Sequence, residues 1–231
     1  MSRIFHTITW KVVDCIGHLV LDQPPSNMMT VTFFREMTEL MEVIVHLQEL
    51  KGIVIYGNGR HYSSGADLDE LLQEIAGENP YVGTTCDERA MHFLQTNYKS
   101  LSYFEELSVP VISAIRGACL GSALELAFFS HFRFCGEDAI FALPETTFNL
   151  IPGIGGIQRF STLAGSARAL DYILTGRTFD ANVALELGLI DQVCPKKKVV
   201  DRAVEFLEKL PERYSLSLRK VYLGRIVKSK T

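Results

Sequence analysis

One pattern occurs twice in this chain and limits the folds open to it. A short apolar run ends at a glycine-bearing loop, and the loop leads into a helical pattern. The first instance runs from the apolar residues 52–56 through GNGRHYSSG to a helix starting near Asp67. The second runs from residues 109–115 through Gly117 and Gly121 to a helix at 122–130. Apolar runs of this length without alternation read as strands buried on both faces. Strand, loop and helix in repetition imply an α/β architecture, with sites at the C-terminal ends of the strands.

The rest of the chain fits around that repeat. Alternating segments at 8–13 and 18–22, joined through 14–17, read as a β-hairpin, so part of the sheet is antiparallel. Phe34, Met37, Leu40, Met41, Ile44 and Leu47 recur at helical spacing over residues 31–49. Residues 88–107, 156–163, 166–174, 180–187 and 197–209 read as helices. Residues 132–135, 139–142 and 189–194 read as short strands. Residues 77–87 carry turn formers and no period, and read as a mobile loop.

Composition excludes several function classes. The 231 residues are 47% hydrophobic, enough for one large domain with a sizeable core. A net charge of −4 gives no general reason to expect a nucleic-acid partner. The basic residues Lys196, Lys197, Lys198, Arg213, Arg219, Lys220, Arg225, Lys228 and Lys230 read as a solvated helix face, then as phosphate contacts. No apolar stretch is long enough to cross a bilayer and the first residues lack a signal-peptide pattern, so the expected place is the cytoplasm. Cys15, Cys86, Cys119, Cys135 and Cys194 are scattered, with no CxxC pair, and read as small buried apolar residues. The histidines do not cluster at metal-ligand spacing. Asp67 and Asp69 begin a helix and suit its dipole better than a metal. Neither GNGRHYSSG nor PGIGGIQ has the spacing of a nucleotide-binding glycine motif, and no GxSxG elbow occurs.

Three segments carry chemistry. In Gly121-Ser122-Ala123-Leu124-Glu125 a glycine turn opens a helix, whose first N–H groups are free to hold a developing negative charge. Glu125 lies one turn in, on the same face as Ser122. Ser63-Ser64-Gly65-Ala66-Asp67 has the same design, and two such loops supply the two donors of an oxyanion hole. Glu145 follows Phe141-Ala142-Leu143-Pro144, where apolar neighbours raise a carboxyl pKa toward acid–base work. Each segment has a plainer reading on its own: a capping box for Ser122 and Glu125, an N-cap for Asp67, a solvated loop glutamate for Glu145.

Taken in order, GAD at 65–67, LGSALEL at 120–126, PE at 144–145 and PGIGG at 152–156 resemble the crotonase (enoyl-CoA hydratase/isomerase) superfamily. Gln158-Arg159, Leu174-Thr175-Gly176, Ala184 and Gly188-Leu189-Ile190 extend the match, which runs from about residue 3 to about residue 210. The resemblance implies a crotonase (ClpP-like) fold: a twisted sheet of repeated ββα units flanked by helices. It implies a core at 1–195 and a C-terminal helical segment at 196–231 that is shortened relative to the family. It implies backbone N–H donors at Ala66 and Ser122, catalytic carboxylates at Glu125 and Glu145, and substrate contacts at Ser64, Gly65, Asp67, Leu68, Gly121 and Gly153. The implied substrate is an acyl-CoA thioester, with no separate cofactor and no metal, in a homotrimer or a dimer of trimers. Two glutamates twenty residues apart favour hydration of a 2-enoyl-CoA. The alternatives are double-bond isomerisation and a silent acyl-CoA-binding member. The chain departs from the family pattern at Ser122, commonly glycine, at Asp69, where relatives carry lysine, and at His131, commonly aspartate and read here as a buried packing change. The acyl pocket is expected from residues 71–103.

Overall fold

The computed structural model describes residues 5–45, 49–76 and 88–211. β1 (Ile8–Val13) and β2 (Ile16–Leu21) form the expected antiparallel hairpin. Its turn is tighter than 14–17: only Asp14 and Cys15 lie between the strands, both at positive φ. A left-handed pair there matches the twist of the flanking strands. It also places Cys15 at the surface, which corrects its expected burial, whereas Cys119, Cys135 and Cys194 are buried. Cys86 lies outside the described residues.

β3 (Gly52–Gly57), β4 (Val111–Ile115), β6 (Phe132–Gly136) and β9 (Gln192–Cys194) extend the hairpin in parallel, giving the order β1-β2-β3-β4-β6-β9. The period-2 alternation of a strand separates two cores. Ile53, Ile55, Val111 and Ile115 face the larger core with Phe33, Met37, Phe104 and Leu124. Val54, Ile112 and Ala114 face the other side, where Val199, Ala203 and Leu207 of α8 (Val199–Glu208) cover them. Burying each of the larger side chains here, valine, isoleucine, leucine, phenylalanine or methionine, contributes about 1.5–3 kcal/mol against exposure.

A second sheet, β5-β7-β8, is built from β5 (Ala118–Leu120), β7 (Ile140–Ala142) and β8 (Phe179–Asp180). The apolar spacing reads residues 117–121 as a turn. Three residues between two left-handed glycines, Gly117 (φ 56°) and Gly121 (φ 54°), are too few to show a period. Behind this sheet Phe141, Phe160, Tyr172 and Phe179 pack ring against ring, with centroids 4.8–5.9 Å apart. That cluster anchors α5 (Gly156–Ala164) and α6 (Ser166–Thr175).

The remaining helices are α1 (Val31–Glu39), α2 (Leu68–Ala76), α3 (Glu88–Glu106), α4 (Ser122–Phe128) and α7 (Ala181–Glu186). α1 is shorter than the spacing predicts, and a π-helical turn at Leu40–Ile44 follows it. His131 is buried, and its Nδ1 accepts from Val111 N at 3.0 Å, so it packs against the start of β4 as expected. The loop expected at 77–87 and the basic residues beyond 211 lie outside the described residues. No helix among those described is long and apolar enough to cross a membrane.

Candidate active site

The two glycine loops meet at the strand ends of both sheets. Buried Asn27 ties down the loop after β3 by donating its amide to the carbonyls of Asn58 and His61, both at 2.9 Å. Ser63 then pairs with Cys119 of β5: Ser63 N donates to Ala118 O at 3.0 Å and Leu120 N to Ser63 O at 3.2 Å. Gly65 fits because it has no side chain. At φ 97° a Cβ there would lie 2.6 Å from Leu120 O and 3.7 Å from Ser122 N. The Ala66 and Ser122 backbones are thereby brought side by side.

Most amides of these loops are occupied. Ser64 N donates to Ser26 O, Gly65 N to Ser63 Oγ, Asp67 N to Met29 O and Gly121 N to Ala142 O. The N–H groups of Ala66 and Ser122 have no acceptor among the described residues. Two unpaired amides on adjoining turns, one at the start of α4, are what an oxyanion requires. Asp67 caps α2, accepting from Glu70 N at 3.1 Å, so its carboxylate serves the helix, and Leu68 begins that helix.

Glu125 is not a capping-box residue. The N-cap of α4 is Gly121, with no side-chain cap bond. The Glu125 carboxylate reaches instead to the chain before α5: Oε1 accepts from Ile154 N and from Gly156 N, both at 2.8 Å. Gly156 allows this approach, since a Cβ there would lie 2.8 Å from that oxygen. Glu125 is 1% exposed. Burial pushes its pKa up to about 7, against the pull of those two N–H bonds and the charge of Arg159.

Glu145 sits in a 3-10 turn, Glu145–Phe148, three residues past β7. The β5–β7 pairing, Cys119 with Phe141 and Leu120 with Ala142, carries it to Gly121. A Cβ at Gly121 would lie 3.1 Å from Glu145 Oε1. Its other oxygen, Oε2, is buried without a hydrogen-bond partner among the described residues. This is no solvated loop glutamate. Burial first, then the neighbouring charge of Glu125, pushes its pKa up to about 7.

A cavity of about 330 Å³ is lined by Met91, Leu94, Gln95 and Tyr98 of α3 and by Gly153, which precedes the Ile154 amide that holds Glu125. Apolar spacing marks α3 as a helix without showing which face borders a cavity. Gly153 lies against Leu94, 2.8 Å from its Cδ2 to a Cβ position, while the amides that hold Glu125 come from its neighbours Ile154 and Gly156. Their signal in the sequence was the glycine run itself, which permits the close approach of a carboxylate. Among the described residues no group of three or more His, Cys, Asp or Glu side chains could hold a metal ion.

The profile of the enoyl-CoA hydratase/isomerase family matches residues 13–223. The chain belongs to that family. It is 30% identical over 228 residues to a Bacillus subtilis protein named as a probable enoyl-CoA hydratase, covering 96% of this chain and 84% of that one. It is 36% identical over 201 residues to the fatty acid oxidation complex subunit alpha of Shewanella frigidimarina, covering 85% of this chain but only 27% of that subunit. The chain thus spans about a quarter of that longer relative. The structure of enoyl-CoA hydratase from Bacillus anthracis superposes with a TM-score of 0.77 at 26% identity, covering 97% of this chain and 92% of that one. A Thermobifida fusca structure solved in complex with CoA superposes with a TM-score of 0.82 at 24% identity, covering 97% and 86%, and shows the shared crotonase fold.

Proposed function

We propose that this chain adds water across the double bond of a 2-enoyl-CoA. The observation that carries the reading is the coupled pair of carboxylates, buried Glu125 and partly buried Glu145, each with a pKa pushed up to about 7, in a site with two unpaired amides. The thioester oxygen accepts from Ala66 N and Ser122 N. Those bonds strengthen as negative charge moves onto the oxygen, and one such donor lowers the barrier by about 3–4 kcal/mol. Glu125, fixed through Oε1, takes a proton from water as the water oxygen bonds to the β-carbon. Glu145 gives a proton to the α-carbon as the enolate collapses. Two coupled carboxylates near pH 7 hold the one proton this cycle needs, and their apparent pKa values belong to the pair. Ser64, Gly65, Leu68 and Gly153 shape the path of the substrate, and the cavity beside α3 takes its acyl group. The relatives named as enoyl-CoA hydratases and the CoA-bound neighbour support a CoA thioester as the substrate class.

The family also contains isomerases, and the unbonded Oε2 of Glu145 suits a carboxylate that shuttles a proton alone. Crotonyl-CoA incubated in ¹⁸O-labelled water separates the two. Hydration puts one labelled oxygen into a β-hydroxyacyl product. An unlabelled product, or none, together with conversion of a β,γ-enoyl-CoA, refutes the hydratase reading.

A further inference from the structure

Glu105, at the end of α3, and Arg159, in the first turns of α5, form a bidentate ion pair that the reaction above does not use. Arg159 Nε donates to Glu105 Oε1 at 2.8 Å and Nη2 to Oε2 at 2.7 Å. Their side chains are 10% and 13% exposed. The guanidinium carbon lies 3.6 Å from the centroid of the Phe129 ring and 5.4 Å from that of Tyr98. Stacking and a two-point carboxylate bond together fix a planar guanidinium in orientation as well as place.

The pair lies next to the segment that holds Glu125. Arg159 Nη1 is 2.5 Å from where a Cβ on Gly155 would be, and Glu125 Oε1 is 2.8 Å from the same position on Gly156. Arg159 and Glu125 thus both border the Gly155-Gly156 segment, with Gly156 N bonded to Glu125. Glu105 ties that segment to α3, which also carries Met91, Leu94 and Tyr98 of the cavity wall.

We propose that Arg159, held by Glu105, is a positioning residue that sets the acidity of Glu125 and locks the acyl-cavity wall to the loop that grips it. The proposal rests on the reading of Glu125 as a reacting carboxylate. Among the described residues the charged and titratable neighbours are few. Glu145 faces Glu125 from the loop after β7, and Arg159 faces it from α5. Arg133 of β6, with Glu106 and Tyr98 of α3, adds to the field around the pair. His131, pushed down to about 4 by burial, stays neutral above that pH. A positive charge near a carboxylate favours its ionised form. Removing Arg159 takes a positive charge from near Glu125, and removing Glu105 leaves Arg159 without its carboxylate partner, so the two deletions push Glu125 in opposite directions.

The test is carboxyl ¹³C NMR titration of Glu125 in a Glu145→Gln background, where its partner no longer titrates. Arg159→Gln is expected to raise the Glu125 pKa by about one unit, and Glu105→Gln to lower it by about half a unit. Arg159→Lys keeps the charge and is expected to leave the titration near its starting value even if the melting temperature falls. Shifts in the same direction for the first two variants, or no shift, overturn the proposal, since a merely structural pair would lower stability and leave the titration alone. Should Arg159→Gln fail to fold, the contrast between Glu105→Gln and Arg159→Lys decides. Because the titration needs no turnover, its outcome is separate from that of the hydration assay.

Discussion

The two carboxylate-bearing segments solve one problem in opposite ways. Glu125 projects from α4, a helix whose residues after Ser122 are all buried, and is held by two backbone amides. Glu145 projects from a single 3-10 turn with none of its residues buried, and one of its oxygens has no partner among those described. Both reach a pKa of about 7, yet the costs differ. For Glu125 desolvation is partly offset by hydrogen bonds to the ionised form. For Glu145 one backbone hydrogen bond, from its own N–H, offsets part of it, and the charge of Glu125 adds to the penalty. One carboxylate is held by two distant amides and the other keeps one oxygen without a partner among the described residues, which suits a base that must hold its water and an acid that must reach the α-carbon.

The largest expected effect comes from disturbing the carboxylate held by two amides. Gly156→Ala brings a methyl within 2.8 Å of Glu125 Oε1 and 2.9 Å of its Cγ, so the carboxylate must move. A misplacement on this scale lowers kcat/KM by roughly 100-fold, while circular dichroism stays that of the wild type. Unchanged kinetics would mean that the Ile154 and Gly156 bonds do not position Glu125.

The other carboxylate is probed through stability. A carboxylate with a folded pKa near 7 and an unfolded one near 4.5 has its full stabilisation only below about 4.5, and loses it as pH rises through 7. Glu145→Gln removes that loss. It should stabilise the chain by roughly 2 kcal/mol at pH 8, which for a chain of this size is a rise in Tm of about 5 °C, and by less than about 1 kcal/mol at pH 5. A melting temperature that falls at pH 8 would show Glu145 to be well bonded in the fold.

Smaller effects sharpen the picture. Leu94→Ala lengthens the cavity beside Gly153 and should shift preference toward longer enoyl chains several-fold in KM, with kcat for crotonyl-CoA little changed. The pH profile of kcat/KM should fall on the acid side of about 7, as the coupled pair takes up a second proton, and on the alkaline side, as it loses the one it carries. A plateau extending from pH 5 to 9 would separate the reaction from this pair.

Much of this was legible before any coordinates. The βα repeat appears as buried parallel strands because continuous apolar runs at 52–56 and 109–115 leave no polar face. Glycines at 65, 121 and 156 mark close backbone approaches because no other residue tolerates them. What stayed hidden depends on contacts distant in sequence. Whether Glu125 caps its own helix or reaches elsewhere is decided by amides 29 and 31 residues away. The bond of Glu105 to Arg159 spans 54 residues, with no local pattern in α3 to announce it. Strand β5 has no signature in the sequence, because three residues cannot show alternation, although it is what brings Gly121 to Glu145.

The most direct measurement is the loss of enoyl absorbance from crotonyl-CoA with wild type, Glu125→Gln and Glu145→Gln compared at pH 7. Hydration by wild type that falls by about 100-fold or more in each variant is the predicted result. Equal rates in all three, or loss in Glu145→Gln alone, would contradict a paired-carboxylate site.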